Sequence, residues 1–187
     1  MIEFTVLKTK FEISPLFFSV LTAFLLMDKS GVAKAAVLFS ILHEVGHFLA
    51  LLCVKTMPQK VVLSLFGIEI KLLGNLSTAG KCLVFAAGFS VNFILSAMFF
   101  AFEKPLFAYI NLAIGIFTAL PLSATDGGTI LKTLFEEYFQ KKGERIFKIV
   151  SLCFLVAVSV IFIFAAYLTK NWFLLIALVY MVLCAIK

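Results

Sequence analysis

Both histidines of this 187-residue chain lie within five consecutive residues, His43-Glu44-Val45-Gly46-His47. On an α-helix, residues four positions apart lie on the same face about one turn apart, so both imidazoles can bind one metal ion. Glu44 lies between them in sequence, where its carboxylate can accept a proton from a water molecule. Random placement of the chain's histidines and glutamates would give this pattern in roughly one chain in two thousand. The spacing therefore predicts a metal site with a neighbouring general base.

The pattern H-E-x-x-H is typical of zinc peptidases, in which the two histidines bind zinc and the glutamate acts as the base. A simpler alternative is that the three side chains only hydrogen-bond inside a helical bundle. We favour the metal site, because ionisable groups in an apolar segment are costly and mark a functional site by default.

A third ligand is expected, because a catalytic zinc ion normally has three protein ligands and an open fourth position. The chain has no third histidine and its four cysteines form no C-x-x-C pair, so we expect a carboxylate. Asp126 is the candidate, since Pro121 would end the helix before it and Gly127-Gly128 would allow a turn and a close helix approach. In the alternative, Asp126 only caps a helix that starts near Thr129.

The composition places these residues in a membrane protein. Hydrophobic residues make up 63% of the chain, charged residues only 14%, and the mean hydropathy is +1.14, whereas soluble domains are about half apolar and a quarter charged. At about 20 residues per span, we predict an all-α polytopic membrane protein with about six transmembrane helices, at 13–27, 32–54, 82–102, 105–120, 146–168 and 172–186. The 16 basic residues lie between apolar runs without interleaved aromatics, which excludes nucleic acid as a partner.

The segments between the spans have patterns of their own. Residues 2–12 alternate in a way that predicts a short strand at the membrane surface, and residues 61–73 predict a small membrane-associated β-hairpin with a polar edge. An amphipathic stretch runs from about 129 to 145. Sorting the basic residues by side puts 12 with the two termini and 4 opposite them, so by the positive-inside rule both termini face the cytoplasm.

Three segments together resemble the site-2 protease family of intramembrane zinc metalloproteases. They are His43-Glu44-x-x-His47 on an early span, Pro121 to Gly128 some eighty residues later, and Ala87-Gly88-Phe89-Ser90-Val91-Asn92 between them, which is similar to the family's G-P-x-x-N segment. The six-span layout with a hairpin resembles the branch of the stage IV sporulation protein FB. The family pattern is not complete, since Thr118, Ser123 and Phe89 replace an asparagine and two prolines.

The resemblance implies a single intramembrane metalloprotease domain over residues 1–187, with a core at 33–135 and peripheral helices at 13–27, 146–168 and 172–186. It implies one zinc ion per chain, bound by His43, His47 and Asp126, with Glu44 as the catalytic base. The substrate would be a transmembrane or membrane-proximal segment of a protein in the bacterial cytoplasmic membrane. We expect no appended regulatory domain, and a regulatory membrane partner in its place.

Two roles remain open at the level of sequence. Asn92 either donates to the developing oxyanion or hydrogen-bonds one helix to another. The strand at residues 68–72 either pairs with an extended substrate or is a simple surface hairpin.

The alternative function is a non-catalytic zinc-binding membrane protein, or a pseudoprotease that binds clients. The presence of Glu44 argues against it, because metal binding alone does not need a base. A transporter is disfavoured, since the chain lacks paired discontinuous helices in two corresponding halves.

Overall fold

The structure is a computed structural model that describes residues 2–6, 9–56, 58–64, 67–72, 76–170, 175, 178–179 and 181–183. The chain folds into two compact units, Met1–Phe117 and Thr118–Lys187. The first unit contains a sheet and the helix that carries both histidines. The second contains the turn before Asp126 and the helices that follow it.

The first unit begins with two strands, β1 (Ile2–Val6) and β2 (Thr9–Ile13), followed by α1 (Pro15–Met27) and α2 (Val32–Cys53). Two more strands, β3 (Pro58–Ser64) and β4 (Gly67–Leu72), precede α3 (Thr78–Ala101) and α4 (Pro105–Ala119). Proline fits the first turn of α1 and α4 because its missing N–H has no partner there in any case. Ser77 caps α3, since its hydroxyl accepts the N–H of Gly80 at 3.1 Å.

The four strands form one sheet in the order β1-β2-β3-β4, so β4 lies at an edge. β1 pairs antiparallel with β2, β2 parallel with β3, and β3 antiparallel with β4. A parallel pair needs a long crossover connection, and here α1 and α2 supply it.

The sheet corrects two predictions. The fold is mostly helical but not all-α, and residues 2–12 form two strands instead of one. The alternation of apolar and polar residues continues through both strands, and no glycine, proline or asparagine lies between Val6 and Thr9 to signal a turn. The hairpin predicted at 61–73 is present as β3 and β4, beginning three residues earlier.

The predicted number of six spans is not confirmed. Three stretches of the described residues are long and apolar enough to cross a membrane: α2, α3, and Asp126–Thr169. α1 has 13 residues and α4 has 15, and both are shorter than the roughly 20 residues that a crossing needs. Most of the predicted span 172–186 lies outside the described residues.

The second unit contains α5 (Asp126–Phe139), a 3-10 turn (Gln140–Lys142) and α6 (Gly143–Thr169). The amphipathic stretch predicted at 129–145 corresponds to α5 and this turn. Leu122, Leu178 and Met181 form a buried apolar cluster within the unit.

Asp28 fixes the start of α2, the helix that carries the histidines. Its carboxylate accepts the backbone N–H groups of Ser30 at 3.0 Å, Gly31 at 2.9 Å and Lys34 at 3.2 Å. Partial burial raises the pKa of the Asp28 carboxyl, but hydrogen bonds from the Ser30 hydroxyl and from these N–H groups outweigh it and hold the pKa below its usual range. Gly31 has φ of 80°, a left-handed conformation that glycine adopts without strain.

A cluster of ion pairs around a buried carboxylate joins three strands of the sheet. Glu12 on β2 contacts Lys10 at 3.0 Å and Lys60 of β3 at 2.7 Å, and Lys10 also contacts Glu3 of β1 at 2.9 Å. The Glu12 side chain is only 6% exposed, whereas that of Glu3 is 48% exposed. The hydrogen bonds from Lys60 and then Lys10 hold the pKa of the Glu12 carboxyl below its ordinary value of 4.5.

This carboxylate predicts an acid-sensitive sheet. A lowered folded-state pKa stabilises the fold above the unfolded-state value, and the stabilisation is lost as the pH falls from about 4.5 through the lower folded-state pKa. We expect Glu12→Gln to reduce hydrogen-exchange protection of the β2 and β3 amides several-fold at neutral pH and to remove most of the acid sensitivity. Glu3→Gln is the control, with a smaller effect because Glu3 is half exposed. Equal protection in the two variants would contradict the role of Glu12.

Candidate metal centre

The side chains of His43, Glu44 and His47 come together on α2. Both imidazoles are buried, at 5% and 3% exposure, and Glu44 is half-buried. One potential ligand atom from each of the three lies within 4.8 Å of the others. These are the residues that the sequence pattern identified as candidate ligands and base.

His47 is held by a backbone carbonyl of α3. Its Nδ1 lies 2.8 Å from the carbonyl oxygen of Val84, a residue that is 1% exposed. Because a carbonyl oxygen only accepts, the proton of the neutral ring lies on Nδ1. Nε2 of His47 therefore presents its lone pair, as a metal ligand must.

His43 is held by a side chain of α3. Its Nδ1 lies 2.7 Å from Oδ1 of Asn92, and Nδ2 of Asn92 lies 3.4 Å from the carbonyl oxygen of Phe39. Because the carbonyl of Phe39 only accepts, the Asn92 amide turns its nitrogen toward Phe39 and its oxygen toward His43. This arrangement places the proton of the neutral His43 ring on Nδ1 as well.

The remaining ring nitrogens converge, with Nε2 of His43 3.1 Å from Nε2 of His47. Two unprotonated nitrogens at this distance repel each other unless a cation lies beside both. Nitrogens that each lie about 2.1 Å from a tetrahedral zinc ion are about 3.4 Å apart, which is close to the observed separation. The pair therefore fits zinc both in chemistry and in spacing.

Two glycines allow α2 and α3 to approach closely at the site. A Cβ atom on Gly88 would lie 2.5 Å from Nε2 of His47 and 2.7 Å from Nε2 of His43. A Cβ atom on Gly46 would lie 2.8 Å from the side chain of Val91 and 2.9 Å from the carbonyl oxygen of Ala87. Sequence reasoning marked the segment 87–92 but not the reason for Gly88, which is that the imidazoles occupy the space of a side chain.

Asn92 makes the helix-to-helix bonds that were one of its two predicted roles. Its Nδ2 hydrogens face the carbonyl oxygen of Phe39 on α2 and Oδ1 of Asn111 on α4, the latter at 3.2 Å. Its role as oxyanion donor stays a prediction, and it requires Nδ2 to leave one of these partners.

Asn111 is a buried polar residue that sequence reasoning missed. It is fully buried on α4, and its Nδ2 donates to the carbonyl oxygen of Phe107 at 2.9 Å. The available signal was an asparagine in the middle of an apolar run, PLFAYINLAIGIF, since polar residues in such runs are costly unless they have a partner.

Asp126 is the first residue of α5 in the second unit. Thr125 is the N-cap of α5, and its hydroxyl accepts the N–H of Gly128 at 3.2 Å. The capping role that was the alternative for Asp126 is therefore filled by its neighbour. A Cβ atom on Gly127 would collide with the carbonyl of Ala119, and one on Gly128 with that of Leu122. α4 ends at Ala119, two residues before the proline that was predicted to interrupt it.

Comparisons with known proteins point to one fold. The sequence profile described as Peptidase family M50 matches residues 104–162, which include Asp126 but not the histidines. The solved structure of the site-2 protease from Methanocaldococcus jannaschii is similar, with a TM-score of 0.69 and 19% sequence identity over 98% of this chain and 93% of that one. The comparison with curated proteins found no match. The likeness shows that the chain has the fold of this protease.

The space that Gly88 leaves for the two imidazoles can be tested by mutation. Gly88→Ala places a methyl group where both Nε2 atoms lie, so we expect zinc affinity to fall by at least about 10-fold, as it does when the groups that orient a ligand are disturbed. Gly80→Ala is the control on the same helix, because the nearest atoms to its Cβ are side-chain atoms at 3.3 and 3.4 Å. Zinc titration against a competing chelator measures both. Equal affinities in the two variants would show that the imidazoles do not need this space.

Proposed function

We propose that this protein is an intramembrane zinc endopeptidase. The observation that carries the proposal is the pair of buried imidazoles whose Nδ1 atoms are held by Val84 and Asn92 and whose Nε2 atoms converge. Glu44 lies beside them, on a helix long and apolar enough to span a membrane. The M50 profile match and the similarity to a site-2 protease support the same conclusion.

The metal would be one zinc ion per chain, with His43 and His47 as two ligands and Asp126 as the third. The support for Asp126 is chemical, since a catalytic zinc site normally takes three protein ligands and the chain has only two histidines. Thr125, not Asp126, is the N-cap residue of α5. The segment that matches the M50 profile also contains Asp126.

The residues of the site divide the chemistry between them. A bound zinc ion supplies Lewis-acid chemistry, because it polarises a carbonyl group and makes water more acidic. Glu44 accepts the proton of the attacking water and transfers it to the nitrogen of the leaving amine, which completes hydrolysis of the peptide bond. His43 and His47 keep their Nε2 lone pairs in place, because their Nδ1 protons are engaged by α3.

The substrate would be a transmembrane or membrane-proximal segment of another protein. A peptide bond inside a helix is hydrogen-bonded and shielded, so the segment must unwind before cleavage. β4 lies at the edge of the sheet, and an edge strand offers unpaired backbone groups to an extended segment. We propose that β4 binds the unwound substrate by pairing with it in this way. We also propose that this chain is a multi-pass membrane protein whose two termini face the cytoplasm.

The role of Glu44 is tested with Glu44→Gln in vesicles that contain single-span reporter proteins. We expect zinc binding to stay within about 2-fold and the cleavage rate to fall by about 100-fold or more, the usual contribution of a general base. Glu137→Gln, an exposed glutamate of α5, is the control and should cleave normally. Undiminished cleavage by Glu44→Gln would refute the role of Glu44, whereas zinc binding without any cleavage by the wild type would favour a non-catalytic zinc protein.

The third ligand is tested by the metal affinity of Asp126→Asn. An amide is a much weaker zinc ligand than a carboxylate, so we expect the affinity to fall by about 100-fold, the upper end of what even outer contacts of a site contribute. Chelator competition measures the affinity, and Glu137→Gln on the same helix is again the control. An unchanged affinity in Asp126→Asn would remove this residue from the ligand set.

A further inference from the structure

We propose that Asn111 on α4 is a positioning residue for the metal centre, acting through Asn92 to hold the His43 ring with its proton on Nδ1 and its Nε2 lone pair toward the metal. The inference rests on the zinc site proposed above. It goes beyond that site because it assigns a role to a helix that contributes no ligand.

A continuous chain of hydrogen bonds joins α4 to the imidazole. Nδ2 of Asn111 donates to the carbonyl oxygen of Phe107 at 2.9 Å, and Oδ1 of Asn111 accepts from Nδ2 of Asn92 at 3.2 Å. Oδ1 of Asn92 then accepts from Nδ1 of His43 at 2.7 Å. Asn92 and Asn111 are both fully buried, so water does not compete for these bonds.

The donor-to-acceptor order of these hydrogen bonds is determined at the carbonyl of Phe107. The carbonyl of Phe107 only accepts, so the amide of Asn111 must turn its nitrogen toward it and its oxygen toward Asn92. That oxygen in turn requires the nitrogen of Asn92, which leaves the oxygen of Asn92 for His43. The carbonyl of Phe39 makes the same demand on Asn92 from α2. Two backbone carbonyls on different helices thus determine which nitrogen of His43 carries the proton.

Loss of the hydrogen bond from Asn92 to Asn111 is expected to weaken metal binding. Without Oδ1 of Asn111, one buried N–H of Asn92 has no partner, which is costly away from water. The Asn92 amide is then held only by its longer bond to the carbonyl oxygen of Phe39, at 3.4 Å, so the acceptor of the His43 ring is less firmly fixed. Groups that orient a metal ligand in this way typically contribute 10- to 100-fold to metal affinity.

A second hydrogen bond between α3 and α4 does not involve Asn92 or His43 and can serve as a control. Ser96 lies one turn after Asn92 on α3, is 3% exposed, and donates to the carbonyl oxygen of Ala108 on α4 at 2.9 Å. If Asn111 only packed α4 against α3, removal of the Ser96 hydroxyl would have a comparable effect.

The variant that isolates the bond to Asn92 is Asn111→Ser. A serine hydroxyl on a helix can donate to the carbonyl four residues earlier, here Phe107, but it is too short to replace the Asn111 oxygen at Asn92. The full chain is purified in detergent as the wild type, Asn111→Ser, Ser96→Ala, Asn92→Ala and the double variant Asn92→Ala/Asn111→Ser. Zinc affinity is measured by chelator competition.

A second readout needs no metal. Because the chain has only two histidines, ¹⁵N labelling of histidine gives NMR signals from His43 and His47 alone, and His43→Gln assigns them. The nitrogen shifts report which ring nitrogen carries the proton. His47 serves as the internal control, since it is held by Val84 and not by the asparagines.

We expect Asn111→Ser to bind zinc about 10-fold more weakly than the wild type and to show a mixture of His43 tautomers with unchanged His47 signals. Ser96→Ala should resemble the wild type. In the Asn92→Ala background the Asn111→Ser change should have no further effect, because the bond through which it acts is gone.

Unchanged zinc affinity and unchanged His43 signals in Asn111→Ser would overturn the inference. So would an equal loss in Ser96→Ala, or equal changes of both histidines, which indicate general loosening. Failure of the wild type to bind zinc would instead count against the proposed function, and the tautomer of His43 would still decide the role of Asn111.

Discussion

The site depends on two hydrogen bonds that hold the imidazoles of α2 against polar atoms of α3. In an apolar helix every buried polar atom must find its partner within the protein, because neither water nor lipid supplies one. Val84 and Asn92 meet this requirement for the Nδ1 atoms of His47 and His43. With their Nδ1 atoms bonded, the two imidazoles direct their Nε2 atoms toward each other. The same hydrogen bonds therefore lower the cost of burying the histidines and orient them for metal binding.

The close contact of α2 and α3 follows from the same requirement. A hydrogen bond from an imidazole to the backbone of a neighbouring helix is only made if the helices lie near each other, and Gly46 and Gly88 remove the side chains that would prevent it. Small residues have this use in membrane proteins generally, since packing and hydrogen bonds rather than water drive helices together there. In this chain they bring the α3 backbone within reach of the rings.

In the second unit, close backbone packing and a threonine hydroxyl hold the turn that precedes α5. Gly127 and Gly128 let the start of α5 press against the carbonyls of residues 119 and 122, and Thr125 satisfies backbone groups on both sides of the turn. Asp126 lies in the first turn of α5, directly after its N-cap residue Thr125. A rigid turn suits a residue that we propose as a metal ligand, because a ligand contributes most when its position is fixed before binding.

The sequence by itself determined the chemistry, and the tertiary structure decided how it is supported. Residue types and a spacing of four identified the candidate ligands and base, because helix periodicity is local. Apolar composition predicted six spans, of which three stretches of the described residues are long and apolar enough to cross a membrane. The second strand near the N-terminus was not predictable, since strand alternation does not reveal a turn without a turn residue. The space that Gly88 leaves for the imidazoles and the bond from Asn111 to Asn92 were not predictable either. They join residues that are far apart in sequence, and such contacts exist only once the helices have packed.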